Sequence, residues 1–429
     1  MTQSIIHVPR RFVRDEWGGT ETVIQEIAKR QQLSGFAPKV VTSLALAAKA
    51  KETIEGIPVE RHRYCYPYLG LSAENRLQLD KKGGNLLSLP LLTALLKEES
   101  PRIFHAHSLK RLGGTVATAA RIRRKPVVVS LHGGVFDVPS SEIEGMSRPV
   151  EGKWEWGKPF GALLGSRSLL ERADMVICVG DSEAQAAARQ LSHDRVSYLP
   201  NGVDTGKFEK GDPKQFREKH KIPRDATLIL NVGRIDAQKN QLGLVESFQN
   251  IARDTPSVHL ALIGPETQPE YAGRLRSRIK DSGVADQITL IPGLAPDDPD
   301  LLSAYRGCDI FALPSSHEPF GIAALEAWSA SKPVVANAVG GLRTLIRDGR
   351  TGLLADSGTA FSHQLRTLVK SPELRLQLAD EGRREALRFY DWSIIEARLE
   401  GLYREAERFH QSKQQSSMLA RNFLSPTHG

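Results

Sequence analysis

Thr227-Leu-Ile-Leu-Asn-Val232-Gly233-Arg234-Ile235-Asp236-Ala237-Gln238-Lys239-Asn240 is a short apolar, β-branched run that stops at a glycine and enters a charged loop. A helical pattern follows it. Such a run, bounded by turn residues and succeeded by a helix, reads as the first half of a βαβ unit. Further runs of the same kind stand at His259–Ile263, Ile288–Ile291, Ile310–Leu313, Pro333–Ala336 and Gly352–Leu354. Helical patterns separate them. This alternation predicts a parallel sheet covered by helices on both faces.

The N-terminal half repeats the alternation. Its strand candidates are Ile5–Val8, Lys39–Thr42, Ile103–His105, Val127–Leu131, Met175–Val179 and Val196–Leu199. Twelve candidates suit two doubly wound α/β domains better than one. The turn-rich Pro200-Asn-Gly-Val-Asp204 places a boundary near residue 205. A last helical pattern runs from Trp392 to Phe409, and the polar stretch Gln411–Gly429 reads as a disordered tail.

The chain has 429 residues, enough for two or three domains. Hydrophobic residues make up 40% and charged residues 25%, a globular balance. Only Cys65, Cys178 and Cys308 are present, which excludes a disulfide scaffold and fits a reducing compartment. No secretory leader is legible at the N-terminus, and Leu86–Leu96, the most apolar stretch, is too short to span a bilayer. A soluble, cytoplasmic protein is expected. The net charge is +8. Residues 1–200 hold 28 basic and 21 acidic side chains, so the excess sits in the first half, densest at Arg121, Arg123, Arg124 and Lys125. Aromatics are 6%, too few to interleave a nucleic-acid surface. An anionic membrane surface or a phosphate-bearing substrate is the better match.

In open parallel sheets, ligands sit at the carboxyl ends of strands. Five constellations stand there. Gly18-Gly19-Thr20-Glu21 opens a helix and reads either as a phosphate approach or as an ordinary glycine turn. His132 ends a strand before Gly133 and Gly134, and is either a substrate contact or a loop histidine. His105-Ala-His107 puts two imidazoles on one strand face, half a metal site that no nearby carboxylate or cysteine completes, so structural roles are favoured. Arg234 and Lys239 follow Gly233 on one loop, a fork and a point charge suited to a diphosphate. Glu318-Pro-Phe320-Gly321-Ile322 opens a helix that carries Glu326 two turns later. Its first backbone N–H groups favour phosphate and its two carboxylates favour hydroxyls, which together imply a nucleotide sugar; the alternative is that Glu318 is a capping carboxylate and Glu326 a surface residue. Asp297-Asp298-Pro299-Asp300 has the spacing of a Mg²⁺ motif but stands at a helix start, where acids complement the dipole. A dinucleotide fingerprint and a phosphate-binding Walker loop are both missing.

Gly18-Gly19, Ser130-Leu-His132-Gly133, Pro200-Asn-Gly-Val-Asp204 with Phe208, Val232-Gly-Arg234…Lys239 and Glu318-Pro-Phe-Gly-Ile…Glu326 together resemble retaining glycosyltransferases of family 4. Gly340-Gly341, Asp348-Gly349, Thr351-Gly-Leu-Leu354 and Trp392-Ser393 fit the same pattern. The resemblance covers residues 1–410.

It implies a GT-B fold, with two Rossmann-like domains facing across a cleft. Residues 1–205 plus a returning helix 391–410 would bind the acceptor. Residues 206–390 would bind a nucleotide-diphosphate sugar such as UDP- or GDP-hexose. It also implies metal-independent front-face transfer of a hexosyl group, with no cofactor, in polysaccharide or glycolipid synthesis. Arg234, Lys239, His132 and Glu318 would then serve catalysis. Gly18, Gly19, Gly233, Phe320, Gly321, Ile322 and Glu326 would complete the donor site. Arg10, Arg11 and Arg14 form a basic loop where an anionic carbohydrate or glycolipid acceptor would approach, and 134–161 would form an acceptor lid. A nucleotide-sugar epimerase of the same fold, and a non-catalytic sugar-binding protein, are the alternatives.

Overall fold

The computed structural model describes residues 3–14, 17–81, 83–133, 148–191 and 194–424, with side chains up to residue 416. The chain divides into two compact units, 1–200 with 396–429, and 201–395.

In the first unit the strands are β1 (Ser4–Val8), β2 (Ala37–Ser43), β3 (Lys51–Ile54), β4 (Ile57–His62), β5 (Pro101–Ala106), β6 (Val127–Leu131), β7 (Met175–Cys178) and β8 (Val196–Tyr198). They form one sheet in the order β3-β4-β2-β1-β5-β6-β7-β8. Every neighbouring pair is parallel except β3 with β4. All residues of β5, β6 and β7 are buried, as strands covered on both faces must be. Leu91, Leu95, Leu112 and Val116 pack on one side of the sheet, and Ile24 and Ala28 on the β2–β4 side.

The β3–β4 hairpin lies outside the sequence reading. It is a charged edge, Lys-Glu-Thr-Ile and Ile-Pro-Val-Glu-Arg-His, turned at Glu55 (φ 47°) and Gly56 (φ 84°). Positive φ at both central positions suits the right-handed strand twist.

In the second unit β9 (Thr227–Val232), β10 (Val258–Ile263), β11 (Ile288–Ile291), β12 (Ile310–Leu313), β13 (Val334–Asn337) and β14 (Leu353–Ala355) are all parallel, in the order β11-β10-β9-β12-β13-β14. This is the doubly wound Rossmann order. Leu244, Phe248, Leu260, Leu275, Phe361 and Leu365 form its core, each fully buried or nearly so. Burial of each is worth about 1.5–3 kcal/mol.

The turn after Pro200 belongs to this unit. Val203 N–H donates to Tyr390 O at 2.8 Å, and Thr205 Oγ1 donates to Asp391 at 2.6 Å. A Cβ on Gly202 would meet the Trp392 ring at 2.5 Å, so the turn needs a glycine where the indole lies against it.

The last helix spans Trp392–Leu424. The sequence had it stop near Phe409 with a disordered tail from Gln411. Instead His410 and Lys413 reach Asp174 at 3.1 and 2.9 Å, and this anchorage carries the helix on. Within the expected lid, 134–147 lies outside the described residues. Among the described residues no helix is long and apolar enough to cross a membrane.

Candidate functional site

The second unit's chain runs outward from β9 to β11 and returns to β12 beside β9. The carboxyl ends of β9 and β12 therefore flank the switch point of the sheet. Gly233 donates its N–H to Ile263 O at 2.9 Å. A Cβ on Gly264 would lie 1.8 Å from Gly233 O, so it is Gly264 that lets the two strand ends close up. That requirement was invisible in the sequence, because the partner backbone is distant along the chain.

Arg234 is exposed and reaches Asp236 at 3.2 Å and Gln238 Oε1 at 3.0 Å. Asp236 is buried and also accepts from Lys239 N–H at 3.0 Å, which fixes the loop's path. Lys239 Nζ lies 2.5 Å from Glu318 Oε2, with both side chains mostly buried. Sequence alone placed both residues in the site but did not pair them.

The Glu318 loop is shaped by glycines from the next strand. Gly340 (φ 46°) would put a Cβ 2.3 Å from Glu318 O, and Gly341 would put one 2.4 Å from Pro319 O. Gly341 N–H donates to Glu318 O at 2.8 Å. Gly321 (φ 106°) caps the helix Ile322–Ser329, and a Cβ there would strike Leu342 at 2.5 Å. The N–H groups of Phe320, Gly321 and Ile322 have no hydrogen-bond partner among the described residues. They stand at the positive end of the helix and are free to bind an anion.

Glu326, on the same helix, accepts from Tyr305 Oη at 2.6 Å. Burial pushes its carboxyl above the ordinary value, against the hydrogen bond from Tyr305 and the charge of Lys207. The arrangement offers cations and amides for a diphosphate, and carboxylates for hydroxyls.

The aspartates at 297–300 are already engaged. Asp297 pairs with Lys207 at 2.9 Å. Asp298 caps the helix Pro299–Gly307, and Asp300 meets Lys219 and His220 at 2.9 and 2.8 Å.

In the first unit β1 is paired with both β2 and β5, so its switch point lies between β1 and β5. The register sets His7 beside His105. His107 follows on the same face, and His132 stands one residue past β6. His7, His105 and His107 are buried, with ligand atoms within 4.8 Å of one another. Each of their ring nitrogens already has a protein partner. His7 meets His107 and Gln31, His105 meets Tyr403 and Ser130, and His107 meets His7 and His132. Desolvation lowers His7 and His132 to about 4, and lowers His105 and His107 as well, so all four are neutral near pH 7. His7, Gln31 and Tyr403 escaped the sequence reading. Only the register of β1 on β5 and the packing of the last helix bring them together.

Gly18 caps the helix Gly19–Leu33, and its N–H donates to Glu21 Oε2 at 3.1 Å, the glutamate half of a capping box. Gly19 is exposed. Of the basic loop, Arg10 donates to the carbonyls of Leu79, Asp80 and Lys81, and Arg11 lies 3.5 Å from Glu21. Both are spent on structure. Arg14 is exposed with no partner among the described residues.

Arg121, Arg124 and Lys125, the core of the basic cluster, line a cavity of about 1000 Å³ with Arg172, His410 and Lys413. Val127 and Asp174 mark this as the amino end of β6 and β7. The densest charge is therefore at the edge opposite the strand ends where an acceptor was expected.

Residues 212–385 match the family model for glycosyl transferases group 1, and residues 17–207 match that for glycosyltransferase family 4. A D-inositol 3-phosphate glycosyltransferase of Thermobispora bispora is 30% identical over 413 residues, with 92% of each chain covered. That of Nocardioides sp. is 28% identical over 407 residues, covering 91% of this chain and 85% of the relative. Among solved structures, the Anabaena protein HepE in complex with UDP and glucose superposes with a TM-score of 0.69 at 19% identity, covering 93% of this chain and 98% of its own.

Proposed function

The chain belongs to the group 1, family 4 glycosyltransferases, and from that membership we propose that it transfers a hexosyl group from a UDP- or GDP-sugar to an acceptor hydroxyl with retention of anomeric configuration. The observation that carries this reading is the Lys239–Glu318 pair beside the amides of Phe320–Ile322, unpartnered among the described residues, at the switch point of a Rossmann-ordered sheet. Arg234 and Lys239 hold the donor diphosphate and Glu326 takes the ribose hydroxyls. Glu318 takes hydroxyls of the transferred sugar, and in the first unit His132 takes a sugar hydroxyl.

As the anomeric C–O bond breaks, negative charge gathers on the diphosphate, and the two cations stabilise it. The acceptor hydroxyl attacks from the same face and gives its proton to the departing phosphate oxygen. Glu318, held by Lys239, orients the sugar rather than attacking it. The positive charge at the diphosphate comes from side chains, so the step needs no resident metal.

For the acceptor we favour a phosphorylated polyol. The activity of the relatives supports this, as does Arg14, exposed in the loop after β1 and without a partner among the described residues. The free thiols of Cys65, Cys178 and Cys308 support a reducing, cytoplasmic setting. The cationic cavity with the exposed Leu163 supports peripheral contact with anionic lipid, which vesicle binding lost at high salt would test.

The deciding experiment incubates the protein with UDP- and GDP-hexoses, with and without inositol phosphate, and reads the products by NMR. An α-linked glycoside from an α-linked donor supports the reading. An inverted linkage, or a changed sugar nucleotide with no acceptor consumed, overturns it.

A further inference from the structure

His132, His107 and His7 form a chain with a single degree of freedom, which Gln31 ends and Tyr403 extends to His105. His132 Nε2 lies 2.9 Å from His107 Nδ1, His107 Nε2 lies 3.0 Å from His7 Nδ1, and His7 Nε2 lies 2.8 Å from Gln31 Oε1. The other end of the Gln31 amide donates to Tyr403 Oη at 3.3 Å, Tyr403 Oη meets His105 Nδ1 at 2.8 Å, and His105 Nε2 meets Ser130 Oγ at 2.7 Å. His7, His105, His107, Gln31, Ser130 and Tyr403 are all buried, so water does not compete for these bonds.

A neutral imidazole carries one N–H and one lone pair. A contact between two ring nitrogens therefore needs the proton on one side only, and each choice dictates the next. With Gln31 Oε1 accepting, His7 must carry its proton on Nε2. Its Nδ1 is then a lone pair, which requires a proton on His107 Nε2. The same step requires one on His132 Nε2. On the other arm Tyr403 donates to His105 Nδ1, and His105 carries its proton on Nε2. All four rings then hold the tautomer that free imidazole side chains prefer. Reversing the Gln31 amide would force all four into the less favoured one.

We infer that Gln31, His7 and His107 are positioning residues that fix His132 as the Nε2–H tautomer, leaving its Nδ1 lone pair to accept a hydrogen bond from a substrate hydroxyl. His132 Nδ1 has no partner among the described residues. The three-histidine cluster is accordingly a wire for hydrogen-bond direction rather than a metal cage, since binding a cation would break bonds that every ring nitrogen already makes. The substrate end of this inference rests on the proposed reading of His132 as a sugar contact. The tautomer does not.

The test labels histidine with ¹⁵N in the full chain and reads the ring nitrogens near pH 7 by long-range ¹H–¹⁵N NMR. His7, His105, His107 and His132 are expected as neutral Nε2–H tautomers. A charged ring, an Nδ1–H tautomer at His132, or coupling to a stoichiometric zinc or cobalt ion overturns the inference. Gln31→Glu keeps an acceptor at the end of the chain and is expected to preserve the His132 signature. Gln31→Met removes it and is expected to give mixed tautomers, with KM for the donor sugar raised about tenfold and kcat little changed. An unchanged His132 signature in folded Gln31→Met overturns the role of Gln31. Should Gln31→Met fail to fold, Tyr403→Phe serves. It is expected to free the His105 tautomer while His132 keeps its own, and a reversed His132 would overturn the inference. A protein inactive on every nucleotide sugar but with the expected tautomers would sink the proposed function and leave the wire standing.

Discussion

Lys239 Nζ and Glu318 Oε2 lie 2.5 Å apart, although they come from loops after different strands, β9 and β12. The pair ties together the two loops that flank the switch point. It also holds the ammonium and the carboxylate at one place, where a diphosphate and a sugar hydroxyl would meet.

In the proposed reaction, replacing Lys239 with alanine removes a cation that stabilises the leaving group. We expect kcat to fall by about 10²–10³-fold, the scale of losing one transition-state donor. Arg234→Ala is expected to act in the same direction, with the circular dichroism of both variants unchanged. Wild-type turnover in both would sink the assignment.

Gly341→Ala should be far more damaging than Gly349→Ala. The first drives a Cβ to 2.4 Å from Pro319 O and displaces the Glu318 loop. The second has φ 69° but nothing within 4 Å, so only backbone strain of about 1–2 kcal/mol is at stake. Melting temperatures and transferase rates of the two variants check this, with activity lost only in Gly341→Ala.

In the proposed function Glu326 takes ribose hydroxyls as the carboxylate. Burial raises its pKa, so this form is lost on acidification sooner than for an ordinary glutamate. Removing the Tyr305 hydroxyl withdraws a bond to the charged form and raises the pKa further. Nucleotide affinity measured by calorimetry against pH should therefore weaken at a higher pH in Tyr305→Phe than in the wild type. Coincident profiles would refute it.

Asp174 is the anchor of the last helix. Desolvation raises its pKa, but the hydrogen bond from His410, the Val127 N–H and Lys413 outweigh it, and the net shift is below 3.8. The stabilisation is thus complete above 3.8 and lost as the pH falls through the lower folded value. Truncation after Phe409 removes both partners and should cost about 1–3 kcal/mol at neutral pH. Thermal melts from pH 3 to 7 should show the two proteins converging at the acid end.

Much of this was legible in one dimension. Every second-unit strand lies where its apolar run stands between turn residues, because buried parallel strands are continuously apolar. The β3–β4 hairpin was hidden, since an edge strand with solvent on one side is half charged. Arg234, Lys239, Glu318 and Glu326 were legible because residue type and strand-end placement are local properties. The consumption of Arg10 by carbonyls at 79–81 was hidden, since nothing near Arg10 in sequence marks those partners.

By itself the sequence determined the alternation of strands and helices, the two doubly wound units and the residues at the strand ends, all of which follow from short-range hydrophobic period and turn chemistry. The tertiary structure decided which of those residues meet. It joined Lys239 to Glu318, set Gly340 and Gly341 against the Glu318 loop, and threaded His132 through His107 and His7 to Gln31. Strand order, register and close backbone approach are long-range properties, and they alone bring residues a hundred positions apart within a hydrogen bond's length.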